Sequence, residues 1–137
     1  MTGPPILLDT CAVLWLANND ALAAEAEEAL AKASETGAIL VSPITAWEIG
    51  TLVARGRIAL SRPPRAWFDE VLESGIDLAP MPPAVLIDSS FLPGSPLRDP
   101  ADRILAATAR AFSYRLMTRD RALLDYGGAG HLDAIAC

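Results

Sequence analysis

Ile6-Leu7-Leu8 is apolar at every position, and the chain returns to the same pattern in Ala38-Ile39-Leu40-Val41 and in Leu116-Met117. Runs this short are strands rather than helices, and strands with no polar alternation are covered on both faces. Between them lie longer stretches with helical composition and caps, so the chain reads as an α/β protein built on a parallel sheet. Such a sheet puts its ligands beyond the carboxyl ends of the strands. Asp9 ends the first run and Asp120 lies just past Arg115-Leu116-Met117-Thr118, which assigns both to one rim.

The elements follow in order. Ile6–Leu8 is the first strand and Ala12–Ala17 a short helix; Asp20 is positioned to cap a helix over Ala21–Ser34 that Gly37 would stop. After the strand at Ala38–Val41, Ser42-Pro43 opens a helix carrying Trp47 and Glu48. Pro63-Pro64 opens another through Trp67, Phe68, Val71 and Leu72 to Gly75, before a strand over Ile76–Ala79. Pro82-Pro83 begins a helix through Val85, Leu86 and Ile87, and residues 92–100 form a loop. A helix over about Pro100–Ala111, the strand Arg115–Thr118, a helical stretch Asp120–Asp125 broken by Gly127-Gly128, and a last strand over Leu132–Ile135 complete the chain. No linker or repeat divides the 137 residues, which are expected to form one domain.

The acids mark where apolar segments end. Asp9 could be a helix N-cap, but Thr10 could serve there instead, and a carboxylate at the edge of a core needs a partner. Glu48 shares a helix face with Ile44 yet is undecided by itself. Asp99 and Asp102 flank Pro100-Ala101 at a helix start, where capping accounts for one and metal binding for the other. Asp120 has a capping alternative too, and Thr118 beside it offers a hydroxyl to orient water. Carboxylates from several segments converging on one rim suit Mg²⁺ or Mn²⁺, hard ions that take oxygen ligands, and the chemistry of such a site is phosphoryl transfer to water.

The net charge of −6 and pI near 4.6 argue against a simple nucleic-acid-binding module, though not against a nuclease whose cation comes from solution. Arg98, Arg103, Arg119 and Arg121 flank the acids and are placed to guide phosphate. Cys11 and Cys137 read as two ordinary thiols, Cys11 as packing, and His131 as a surface residue. The N-terminus resembles neither a signal peptide nor a membrane span, so a cytoplasmic protein is expected. Triad or zinc chemistry would need more than the one His and two widely separated Cys of this chain. One rival reading is a phospho-acceptor α/β module with an acidic pocket, which would want paired acids early and a Lys after a late strand, where Lys32 is the chain's one Lys. The other is a purely binding module, which would be expected to have lost some of the acids, none of which is missing.

Taken together, Leu7-Leu8-Asp9-Thr10, Val41-Ser42-Pro43 leading to Trp47-Glu48-Ile49, Arg98-Asp99-Pro100-Ala101-Asp102-Arg103 with the helix after it, and Thr118-Arg119-Asp120 resemble the PIN-domain ribonucleases. Within them the VapC toxins of type II toxin–antitoxin systems are most similar, over nearly the whole chain. The resemblance implies an α/β/α sandwich around a parallel sheet, Mg²⁺- or Mn²⁺-dependent endoribonuclease activity on RNA, homodimers, and neutralisation by a small cognate VapB-like antitoxin. Position by position it makes Asp9, Glu48, Asp102 and Asp120 the catalytic, metal-holding acids, with Asp99 in support. Thr10 and Thr118 match hydroxyl positions near the metal, and Arg103 and Arg121 join them as substrate- or water-orienting candidates. Trp47, Trp67 and Phe68 lie where an antitoxin helix would find an apolar groove.

Overall fold

The computed structural model describes residues 3–36, 38–94 and 97–137. Along the chain come β1 (Ile6–Leu8), α1 (Thr10–Ala17), α2 (Ala24–Thr36), β2 (Ile39–Val41), α3 (Pro43–Ala54) and α4 (Pro64–Glu73). They are followed by β3 (Asp77–Leu78), α5 (Pro83–Asp88), α6 (Pro100–Phe112), β4 (Arg115–Thr118), α7 (Arg121–Gly128) and β5 (Ala134–Ala136). The five strands form one sheet in the order β3-β2-β1-β4-β5, and every pairing is parallel.

The apolar runs behave as their composition demands. Ile6 and Leu8 of β1 and Met117 of β4 bury into a core on one face, with Val13 of α1, Ala26 and Leu30 of α2, and Trp67 and Val71 of α4. Leu7 and Leu116 point the other way, into a second core with Leu105, Ala106 and Ala109 of α6 and Leu123 and Tyr126 of α7. Helices therefore cover both faces of the sheet, which is the three-layer α/β/α sandwich expected. Small alanines on α6 let that helix lie close to the strands. Each large apolar side chain so buried contributes about 1.5–3 kcal/mol.

The chain leaves β1 for β2 and β3 on one side and returns to β4 and β5 on the other, so the order switches between β1 and β4. A parallel sheet opens a crevice at such a switch. Asp9 follows β1 there, and its backbone N–H donates to the Met117 carbonyl at 3.0 Å, joining the two strand ends.

Some element boundaries differ from expectation. Helix α1 starts at Thr10, because Asp9 itself is the cap. Asp20 caps nothing, and α2 starts at Ala24. The Asp20 N–H instead turns back to the Trp15 carbonyl at the end of α1, and the Ala21 carbonyl accepts from Arg119 across the fold, so one local turn and one tertiary bond engage these residues outside the helix. Gly37, the expected stop of this helix, lies outside the described residues. Helix α7 runs through Gly127 and Gly128 rather than breaking at them. A Cβ on Gly127 would come within 2.9 Å of the Ala134 Cβ, so glycine there allows α7 to approach β5. Strand β5 accordingly begins only at Ala134. Among the described residues no helix is long and apolar enough to cross a membrane.

Candidate metal centre

Asp9, not Thr10, takes the capping task. It is the N-cap of α1, its Oδ1 accepting from the Ala12 N–H at 2.7 Å, while the Thr118 hydroxyl donates to Oδ2. At 4% exposure its carboxyl is driven up by burial, which the Thr118 and Ala12 hydrogen bonds offset in part and the nearby Asp120 reinforces. Capping explains where Asp9 sits; it does not neutralise a charge taken out of water.

Glu48 is half-buried on α3 and accepts from the Thr10 hydroxyl. Burial raises its pKa, and Asp99 and Asp9 raise it further. Asp102, half-buried in the first turn of α6, is pushed up to about 7, by burial first and then by Asp99, Asp120, Glu48 and Asp9. The fold therefore brings Asp9, Glu48, Asp99, Asp102 and Asp120 into one electrostatic field. Asp99 is the exposed cap of α6, accepting from the Ala101 N–H at 2.8 Å and more weakly from Asp102 at 3.4 Å. Asp120, also exposed, caps α7 through the Leu123 N–H at 3.0 Å.

Among the described residues, no Lys or Arg is ion-paired to this set. The ion pairs among the described residues join Lys32 to Glu28, Arg62 to Glu70, and Arg115 to Asp133, all outside it. Arg103 donates to the Leu97 and Arg98 carbonyls. Arg119, expected to guide phosphate, is instead built into the scaffold: it donates to the Cys137 and Ala21 carbonyls and lies 3.6 Å above the Trp15 ring. Arg121 is exposed beside Asp120, and Arg98 is exposed beside Asp99.

The donors are all carboxylate oxygens, which fits a hard divalent cation and no soft one. Among the described residues, no three His, Cys, Asp or Glu side chains are gathered closely enough to hold an ion as they stand. Each of Asp9, Glu48, Asp99 and Asp120 gives at least one oxygen to a local N–H or hydroxyl. Like charges also repel, so drawing them onto one point requires the cation itself. Beside Asp102 and Asp120 a cavity of about 540 Å³ opens, lined also by Arg98, Tyr126 and His131, and gives the acids access to solvent.

Several residues differ from the sequence reading. Cys11 is exposed rather than packed, and its thiol is pushed up to about 11 by local desolvation and then by Asp9, Glu48, Asp102 and Asp120. His131 is half-buried, its ring stacked on Tyr126 at 4.9 Å between centroids. Thr45 was not anticipated: wholly buried, it lies 3.1 Å from the Thr10 hydroxyl. Its signal was present as a polar residue one helical turn before Glu48. Of the aromatics, Trp47 is 61% exposed, whereas Trp67 is buried and lines a cavity of about 620 Å³ whose wall mixes Val13, Leu16, Ile39 and Val71 with Asn18, Ser34 and Glu70.

A family model for the PIN domain matches residues 6–129. The chain is 34% identical over 119 residues, 86% of its length and 88% of the relative's, to Ribonuclease VapC22 of Mycobacterium tuberculosis. Among solved structures it is similar to that of VapBC2 from Rickettsia felis bound to a DNA fragment from their promoter, with TM-score 0.68 and 14% identity over 96% of this chain and 97% of that one. FitAB bound to an IR36 DNA fragment is similar at TM-score 0.54 and 20% identity, covering 96% and 94% of the two chains. At those identities the two structures speak for the fold.

Proposed function

This chain belongs to the PIN-domain family, in its VapC toxin branch, and on that footing we propose that it is a divalent-metal-dependent endoribonuclease toxin neutralised by a cognate antitoxin. The observation that carries the chemistry is the field of Asp9, Glu48, Asp99, Asp102 and Asp120 with no Lys or Arg paired to any of them among the described residues. Asp9, Glu48, Asp102 and Asp120 would hold Mg²⁺ or Mn²⁺, with Asp99 supporting from its cap. When bound, the ion supplies Lewis acidity that lowers the pKa of water and offsets charge on the phosphate oxygens.

The chain's own part is positioning. Thr118 and the Ala12 amide hold Asp9, and Thr10 holds Glu48, so these two carboxylates are aimed before substrate arrives. Arg98 and Arg121, exposed on either side of the acids, are placed to steer an RNA backbone. A phospho-acceptor module is disfavoured, since Lys32 is committed to Glu28 at 3.2 Å on the solvent side of α2. Purified protein is expected to cut a structured RNA internally with Mg²⁺, and EDTA to abolish the cutting until excess Mg²⁺ is returned. Cleavage undiminished by EDTA would overturn the metal assignment.

The same reading includes a VapB-like antitoxin and a homodimer in the cytoplasm. The VapBC2 and FitAB neighbours, solved bound to DNA, support such an assembly. Exposed Ile87 on α5, Phe91 three residues after its end and Trp47 on α3 leave apolar surface for it, and the cavity lined by Trp67, with both apolar and polar side chains in its wall, suits an amphipathic segment of a partner. Co-expression with the product of the adjacent upstream reading frame is expected to yield a complex of more than two chains with cleavage reduced at least ~100-fold; a monomeric, unbound product would refute the partner.

A further inference from the structure

The order of donation in the hydroxyl cluster beneath the acids follows from counting protons. Thr10 Oγ1 carries one proton and gives it to Glu48 Oε1. The same oxygen lies 3.1 Å from Thr45 Oγ1, and by distance alone either hydroxyl could be the donor. An ionised carboxylate only accepts, so the proton of Thr10 is committed to Glu48 and the one between the two threonines belongs to Thr45. The direction is Thr45 to Thr10 to Glu48.

A second relay runs the same way beside it. The Asp120 N–H donates to Thr118 Oγ1 at 2.9 Å, and Thr118 donates to Asp9 Oδ2. In both relays a hydroxyl facing a carboxylate is oriented from behind by a donor, and successive bonds of this kind polarise one another. The donor behind Thr118 is backbone. The donor behind Thr10 is a side chain, and therefore replaceable.

Thr45 is 0% exposed, in the first turn of α3 and one helical turn before Glu48. A buried threonine there could bond within its own helix, yet it reaches across to α1. Building on the metal-centre reading, we propose that Thr45 is a positioning residue: acting through Thr10, it fixes the orientation in which Glu48 presents its carboxylate to the divalent ion. It touches neither the ion nor the substrate.

The test is calorimetric binding of Mn²⁺ to the full chain, with thermal melting of the metal-free protein as the control for folding. Thr45→Val keeps the shape and removes only the hydroxyl, and it is expected to weaken Mn²⁺ binding about tenfold, as loss of a group supporting a metal ligand generally does. Thr45→Ser is expected to bind within roughly twofold of wild type, because the hydroxyl is restored. In a Thr10→Val background, adding Thr45→Val should change binding no further, since the path runs through Thr10. Wild-type affinity in Thr45→Val, or a Thr45→Ser as weak as the valine variant, would overturn the proposal. So would losses that add in the double variant. Absence of saturable Mn²⁺ binding by the wild type would instead bring down the metal-centre reading, and this proposal with it.

Discussion

Asp9→Asn is expected to lower RNA cleavage by about 100- to 1,000-fold while leaving the metal-free protein at least as stable as the wild type. The two halves of this result have one cause. Asn matches Asp in shape, and its carbonyl oxygen can still accept the Ala12 N–H that caps α1. Its amide nitrogen would face Thr118 Oγ1, which already accepts from the Asp120 N–H and has a second lone pair for it. The charge disappears, and with it the acceptor of the Thr118 hydroxyl proton, which must rotate to another oxygen; burial is the largest influence on that charge, acting against the ionised form. A neutral amide at a site 4% exposed is thus no burden to the metal-free fold. It is, however, a far poorer partner for a divalent cation, so any stabilisation by Mg²⁺ should shrink along with activity. Cleavage assays beside melting curves with and without Mg²⁺ decide it. An active Asn variant, or one inactive only because it unfolds, would remove Asp9 from the centre of the site.

How far the chain declares itself depends on which forces act locally. Ile6-Leu7-Leu8 and Leu116-Met117 are buried on both sheet faces, so composition alone identifies them as inner parallel strands. Ser42-Pro43 carries its helix start in the cap chemistry, and α3 begins at Pro43 as expected. Where a distant partner decides, sequence misleads. Asp20 has the composition of a cap, but Arg119, 98 residues on, claims the Ala21 carbonyl next to it, and the turn out of α1 takes its own N–H. Gly127-Gly128 has the composition of a break, but the close approach of Ala134 makes glycine a packing requirement inside α7. The acids were legible as a set because each punctuates an apolar segment. Asp99 as cap is local chemistry, whereas the burial that lifts Asp102 comes from the assembled fold. Arg119 looked like a phosphate guide for the same reason Thr45 went unnoticed: neither the Trp15 ring beneath the one nor Thr10 opposite the other is near in sequence.

The raised carboxyls also predict an inverted dependence of stability on pH. A paired carboxylate usually has a depressed pKa, so that folding is favoured as pH rises. Here Asp102 titrates in the folded state at about 7, above an unfolded value near 3.8, and Asp9 and Glu48 are raised too. Between those limits the folded chain binds more protons than the unfolded one, and its stability therefore falls as pH rises. Asp102 is half exposed, so solvent screening discounts its share to about 1 kcal/mol, or roughly 3 °C in melting temperature. Metal-free protein should melt lower at pH 8 than at pH 5.5, and Mg²⁺ should recover the difference at pH 8 while doing little at pH 5.5. Protons and the cation then compete for the same oxygens. For a group titrating near 7, acidification from pH 8 to 5.5 should weaken the apparent Mg²⁺ affinity about 30-fold. Melting curves and cleavage titrations at the two pH values test both statements. A metal-free protein that gains stability toward pH 8, or a Mg²⁺ requirement indifferent to pH, would mean that the acids are balanced by something other than a cation from solution.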